Sequence, residues 1–203
     1  MHEVTTSEDL LALYGEVGFR AARKVHAVPD RHDRAFIARS PFCVLATSAA
    51  DGMLDVSPRG DLPGFVEVLD DGRLLLPDRP GNNRIDSLLN VVGDPRVALL
   101  FLIPGVKETL RVNGTAAVST DPLLVARGEV EGRLPTTVLV VQPVEVLFQC
   151  PRALMRSRIW DADMQVDSSV LASLDEVLAD QIAGLTPERS RELGTAGVGK
   201  SLW

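Results

Sequence analysis

The chain has 203 residues, 45% of them hydrophobic, enough to bury a substantial core in one domain with terminal appendages. Its formal net charge of −7 argues against a general nucleic-acid or anionic-membrane surface, because phosphate backbones are held through a basic footprint, and it points to a small-molecule ligand. The longest apolar runs, such as VALLFLI from Val97, fall far short of the roughly 20 residues that a membrane-spanning helix needs, so no span is expected.

The N-terminal stretch MHEVTTSEDLLALYG is acidic and lacks the basic-then-apolar order of a secretory signal, so a cytoplasmic location is the expectation. Residues 7–39 read as helical, with the acidic first turn SEDLL and a later segment, PDRHDRAFIARS, that opens with proline and ends before Pro41. From Phe42 the texture changes to short β-rich runs: FCVLATS, MLDVSPRG, FVEVL and RLLLP. The pairs Asp51-Gly52 and Asp71-Gly72 between these runs are strong hairpin signals and predict an antiparallel meander. A helix is predicted at NNRIDSLLNVVG, where Ile85, Leu88, Leu89 and Val92 repeat at i, i+3, i+4 and i+7, with asparagine to cap its start near Asn83 and Gly93 to end it. Three more strands follow around VALLFLI, ETLRVNGTAAV and TVLVVQPVEVLF, with a short helix at DPLLVARG. Six or more strands with few helices favour a closed barrel over an open sheet. A C-terminal helix is expected over Val170, Leu171, Leu174, Val177, Leu178 and Ile182, and a tail rich in glycine and charge ends the chain. The fold class is mainly β with flanking helices (α+β): an N-terminal helical layer at 1–40, the barrel at 41–162, and a C-terminal helix and tail at 163–203, forming one structural domain overall.

Several motifs are set against plainer readings. Residues 194–201, GTAGVGKS, satisfy the phosphate-binding pattern G-x-x-x-x-G-K-[ST]. That pattern works as a loop between a strand and a helix. Here the preceding TPERSRELG reads as helix and only Leu202 and Trp203 follow, so a tail, free or docked on a partner through Trp203, is the expectation. Cys43 and Cys150 lie far apart beside apolar residues and read as two buried thiols. His2, His26 and His32 are not at ligand spacing with a second histidine or cysteine pair, and no metal site is expected.

The informative residues lie between Asp55 and Asn113. In DVSPRG, strand alternation puts Asp55, Ser57 and Arg59 on one face and Val56 and Pro58 on the other. In KETLRVNG, Lys107, Thr109, Arg111 and Asn113 share a face opposite Leu110 and Val112. The plain reading of both is polar side to solvent and apolar side to core. The turn LPDRPGNNR leads from a strand into the predicted helix, placing Arg84 in its first turn and Arg79 just before, where the helix dipole disfavours a cation unless an anion accompanies it. That anion is either a bound phosphate, held also by the free amides of the helix start, or a local partner, Asp78 or Asp86.

Five blocks, SPFCVLATS, DVSPRGD with PGFV, LLLPDRPGNNRIDSLLN, DPRVALLFLIPGVKETLRVNG and CPRALMRSRIWD, run in order over roughly residues 35–162. As a set they resemble a bacterial branch of the pyridoxamine 5′-phosphate oxidase-like flavoproteins. The resemblance implies a split β-barrel of antiparallel Greek-key type and a twofold homodimer, with flavin mononucleotide (FMN) in the subunit interface. It implies Arg59 as the strand arginine that reaches the FMN phosphate, with Ser57 and Pro58 alongside the isoalloxazine. By the same carry-over Pro77 and Asp78 meet the ring through backbone groups, Asn83 and Arg84 sit at the phosphate-binding helix start, and Thr109 approaches the flavin. Arg111, Arg156, Arg158 and Trp160 fall on the substrate side, Trp160 having a core or interface role as its alternative. The arginine- and histidine-containing motif with which true pyridoxamine phosphate oxidases grip the substrate phosphate is missing, since no histidine follows Trp160. The expectation is an FMN-dependent oxidoreductase of unidentified small-molecule substrate. A flavin-binding or electron-carrying protein without a dedicated substrate, and a split barrel using deazaflavin or haem, are the alternatives.

Overall fold

The computed structural model describes residues 3–198, with side chains through residue 195. In chain order the elements are α1 (Ser7–Tyr14), α2 (Phe19–Arg23), α3 (Arg31–Ile37), β1 (Phe42–Ser48), β2 (Leu54–Gly60), β3 (Glu67–Val68), β4 (Leu74–Asp78), α4 (Asp86–Gly93), β5 (Arg96–Leu102), β6 (Thr109–Ser119), α5 (Pro122–Arg127), β7 (Thr137–Gln149), α6 (Arg152–Ser157), α7 (Leu174–Gln181) and α8 (Pro187–Val198). The strands form one antiparallel sheet in the order β2-β1-β5-β6-β7-β4-β3. Its end strands, β2 and β3, share no ladder, so the sheet curls without closing and leaves a seam. That arrangement is a split barrel rather than the closed one expected from strand number. The FVEVL run supplies the two-residue β3 alone.

Alternation aims Leu45, Leu74, Leu99, Phe101, Leu110, Val112, Val141 and Val146 into one buried core. Long β6 and β7 carry much of it, and they bend at a bulge where the register shifts between Asn113 and Gly114. Gly114 is required there: a Cβ on it would lie 2.1 Å from the backbone oxygen of Gln142.

The helix after β4 differs from its predicted form. Asn82 Oδ1 accepts the Arg84 amide at 3.0 Å and Asn83 takes a positive φ of 60°, so a local turn occupies 82–84 and the helix starts at Asp86, with Ile85 as N-cap. Its buried residues are Ser87, Leu88 and Val91, whereas Ile85, Leu89 and Val92 are exposed. The helix is rotated from the predicted stripe because the Ser87 hydroxyl turns inward to bond Asp55 and Ser57.

At the N-terminal side, Asp30 and Asp33 form a capping box on α3. His26 is bonded to Val146 through both backbone groups, while its Nδ1 faces the Lys24 carbonyl at 3.1 Å and its Nε2 faces buried Asp33 at 2.6 Å. Hydrogen bonding to Asp33 raises the imidazole pKa. Cys43 is buried as expected, but Cys150 is exposed, because it stands at the end of β7 where the chain leaves the sheet. The C-terminal helix begins at Leu174, later than predicted, since Ser173 and Glu176 form a capping box there and Val170 closes a short 3₁₀ turn. The last helix, α8, runs through Val198 and takes the first five residues of GTAGVGKS into helix rather than a loop. Lys200, Ser201 and Trp203, like His2, lie outside the described residues. Among the described residues no helix is long and apolar enough to cross a membrane.

Candidate functional site

The seam between the free ends of the sheet is walled by β2, the end of β4, the 79–85 turn and the start of α4. The polarity of β2 is the reverse of the plain expectation. Asp55, Ser57 and Arg59 pair with Thr47, Leu45 and Cys43 and share their inward side, while Leu54, Val56, Pro58 and Gly60 face outward and are exposed. A cavity of about 710 Å3 opens along the inward face, in the size range of small-molecule sites. Ser57, Pro58, Arg59, Asp78, Asn83 and Arg84 line it together, joined by Asp55, Arg79, Ser87 and Thr137. Pro77 lines a smaller adjoining cavity of about 160 Å3 with Pro58, Arg59 and Arg79.

Each cation in this seam is held by a carboxylate. Arg59 Nη1 donates to Asp78 Oδ1 at 2.7 Å, across the gap between β2 and β4. Arg79 Nε donates to the fully buried carboxylate of Asp61 at 2.5 Å and Nη1 to the Gly128 carbonyl at 2.6 Å, which clamps the turn after β4 to two neighbouring loops. Arg84 Nε donates to Asp86 at 2.6 Å, one of the two local pairings open from sequence, and its side chain is 78% exposed. Arg84 therefore stands before the helix rather than in its first turn, and Asp86 holds the first position, where a negative charge suits the dipole. Ile85 offers no side-chain oxygen, so the helix start lacks a side-chain cap where it meets the cavity. Thr137 Oγ1 is buried without a hydrogen-bond partner.

The other sequence-derived candidates are elsewhere in the same chain. Thr109 is buried at the start of β6, opposite Gln149. Arg111 lies on the outward sheet face, 3.8 Å from Glu145. Arg156 is exposed on α6, and Arg158 is engaged by Asp161 and Asp163. Trp160 donates its indole N–H to the Val106 carbonyl at 2.9 Å and is half-buried. None of these five lines the seam cavity. Ser87 and Thr137, which do, were not singled out from sequence, Ser87 because it lies away from the apolar stripe through Ile85, Leu88, Leu89 and Val92.

HupZ from Group A Streptococcus superposes with a TM-score of 0.50 at 13% identity, covering 60% of this chain and 100% of that one; at such identity the likeness speaks to the fold alone. General Stress Protein 26 from Bacillus anthracis is similar at 17% identity, with coverage of 56% and 88% and a TM-score of 0.43. An FMN-binding protein from Syntrophomonas wolfei is similar at 16% identity, with coverage of 58% and 83% and a TM-score of 0.44. No curated protein matches the sequence. The family model described as pyridoxamine 5′-phosphate oxidase matches residues 30–150, more than half of the chain. With the open antiparallel barrel and the cavity along its seam, that match identifies the chain as a member of the pyridoxamine 5′-phosphate oxidase family.

Proposed function

We propose that the seam cavity binds FMN and that the protein is an oxidoreductase acting on a small molecule. The observation that carries the reading is the convergence of Arg59, Arg84 and the uncapped start of α4 on one cavity of about 710 Å3. A single phosphate suits that set: guanidinium groups and free helix amides are its usual partners, each charge-assisted bond contributing roughly 1.5–3 kcal/mol. The unpartnered hydroxyl of Thr137 is consistent with a polar ligand. Among the described residues no second phosphate site or adenine-binding segment accompanies it, which favours FMN over its dinucleotide. When bound, FMN supplies the hydride or electron transfer, and the side chains position it and exclude water. That division of labour accounts for the absence of an evident acid–base pair in the seam. A homodimer fits the exposed apolar outer side of β2, and residues such as Thr109 and Arg111 then belong to a site completed by the second copy.

The test is the absorption spectrum of the purified protein, with mass spectrometry of the acid-released ligand. Two flavin bands and FMN are expected. A Soret band, a deazaflavin, or no flavin uptake after reconstitution overturns the reading. Arg59→Ala is expected to weaken FMN binding by about 10- to 150-fold in a fluorescence titration, and Arg84→Ala by a similar or smaller factor. Turnover with reduced nicotinamide separates an enzyme from a flavin carrier.

A further inference from the structure

The β2 wall of the cavity carries a chain of hydrogen bonds whose direction is fixed by its two ends. Arg59 Nε can only donate, and it donates to Ser57 Oγ at 3.3 Å. The Asp55 carboxylate accepts, taking the Ser87 hydroxyl proton at 2.9 Å. The two serine oxygens are 3.1 Å apart. A hydroxyl has one proton, and that of Ser87 is already committed to Asp55, so the bond between the serines is donated by Ser57. Both protons are thus spent inside the wall. What Ser57, Ser87 and Asp55 retain for a ligand is lone pairs.

The wall is also held in place. Ser87 is 3% exposed, and Asp55 faces the Thr47 hydroxyl at 3.5 Å, which in turn accepts the Asn90 amide at 3.0 Å. Beside it, Arg59 on the same strand, Arg84 and the first amides of α4, the helix that carries Ser87, present donors. The cavity therefore carries a short acceptor stretch flanked by donors.

We propose that the Asp55–Ser87–Ser57 relay determines specificity: it makes the Asp55–Ser57 stretch of β2 an acceptor surface that receives hydroxyl or N–H donors and turns away phosphate, which is left to Arg59, Arg84 and the helix start. The proposal rests on the FMN reading, and the donors it assigns to this wall are the hydroxyl groups of the ribityl chain. Asp55 and Ser87 then act as positioning residues that set which way the Ser57 hydroxyl points.

The sign of one substitution decides between this and the opposite arrangement. In Asp55→Asn the amide oxygen can still accept from Ser87, but the charge is gone and an N–H donor replaces an acceptor. If ligand hydroxyls meet the wall, the variant binds FMN about tenfold or more weakly, while inorganic phosphate competes as well as in wild type. If phosphate meets the wall, removing the carboxylate tightens both FMN and inorganic phosphate. Tighter or unchanged FMN binding overturns the proposal. Should Asp55→Asn fail to fold, Ser87→Ala serves: it releases the Ser57 proton, so FMN is expected to weaken while inorganic phosphate competes more strongly, and no change in that competition overturns the relay. Wild-type protein that takes up no FMN removes the reading and the proposal together. Wild type that binds FMN, beside an Asp55→Asn variant that binds as well or better, removes the proposal alone.

Discussion

At Cys43 burial pushes the thiol up to about 12, which leaves almost no thiolate at neutral pH despite the nearby Arg59 guanidinium. Cys150, beyond the end of β7, is exposed to solvent and to reagents. A thiol reagent at pH 8 is therefore expected to label one cysteine in the native protein and two after denaturation, and peptide mapping should place the native label on Cys150. His26 is also shifted upward, but for an imidazole this favours the charged form. Its bond to Asp33 raises the pKa, and both ring nitrogens face acceptors, so the protonated ring satisfies both. The sign follows from linkage: a raised folded-state pKa gives stability that is full below the ordinary imidazole pKa and is lost as pH rises through the raised one. A melt series from pH 6 to pH 9 is expected to show this loss, and His26→Gln should flatten it. With the ring about one-third exposed, the size is held to about 1 kcal/mol or less. A slope unchanged in the variant assigns the effect to another group.

At the scale of elements, the bulge between β6 and β7 makes the sharpest demand on sequence. Gly114→Ala drives a methyl group into the Gln142 carbonyl, a backbone atom in the ladder that cannot step aside. A loss of about 1–3 kcal/mol, as for other overpacked interior sites, is expected in a urea melt. Strand positions were legible because Asp51-Gly52 and Asp71-Gly72 mark the turns and alternation marks the faces. The start of α4 was not, since asparagine side chains compete with the helix by bonding nearby amides, and Asn82 does so here. Its rotation was hidden for a related reason: the stripe through Leu89 and Val92 is as apolar as the one that packs, and the choice was made by a hydrogen bond from Ser87 to a residue 32 positions away. The candidate site divides along the same line. Ser57, Arg59, Asn83 and Arg84 sit in short blocks that can be read locally, whereas Thr137 reaches the cavity only because β7 pairs with β4.

Across the whole molecule, large apolar residues remain uncovered on the N-terminal and C-terminal segments and, beside the seam, on β2 and α4. Leu54 and Val56 on β2 are 78% and 64% exposed, and Leu89 and Val92 on α4 are 61% and 77% exposed, a degree of apolar exposure that marks interaction surfaces. A twofold pairing of this face is the proposal, and Val56→Glu with Leu89→Glu is expected to halve the mass seen by light scattering while leaving the far-ultraviolet circular dichroism unchanged. A wild-type mass of one chain, near 21.9 kDa, refutes the pairing. The seam has a mechanical consequence as well. Strands β2 and β3 follow one another in the chain, joined by residues 61–66, yet occupy opposite edges of the sheet. The barrel is thus a C-shaped ring, stiff along six consecutive ladders and compliant across one gap, which the covalent strap and side-chain contacts such as Arg59–Asp78 span. Its lips can spread to admit a molecule by turning a few side chains, with every ladder bond intact. A molecule that grips both lips becomes the missing stay of the ring and stiffens all of it at once.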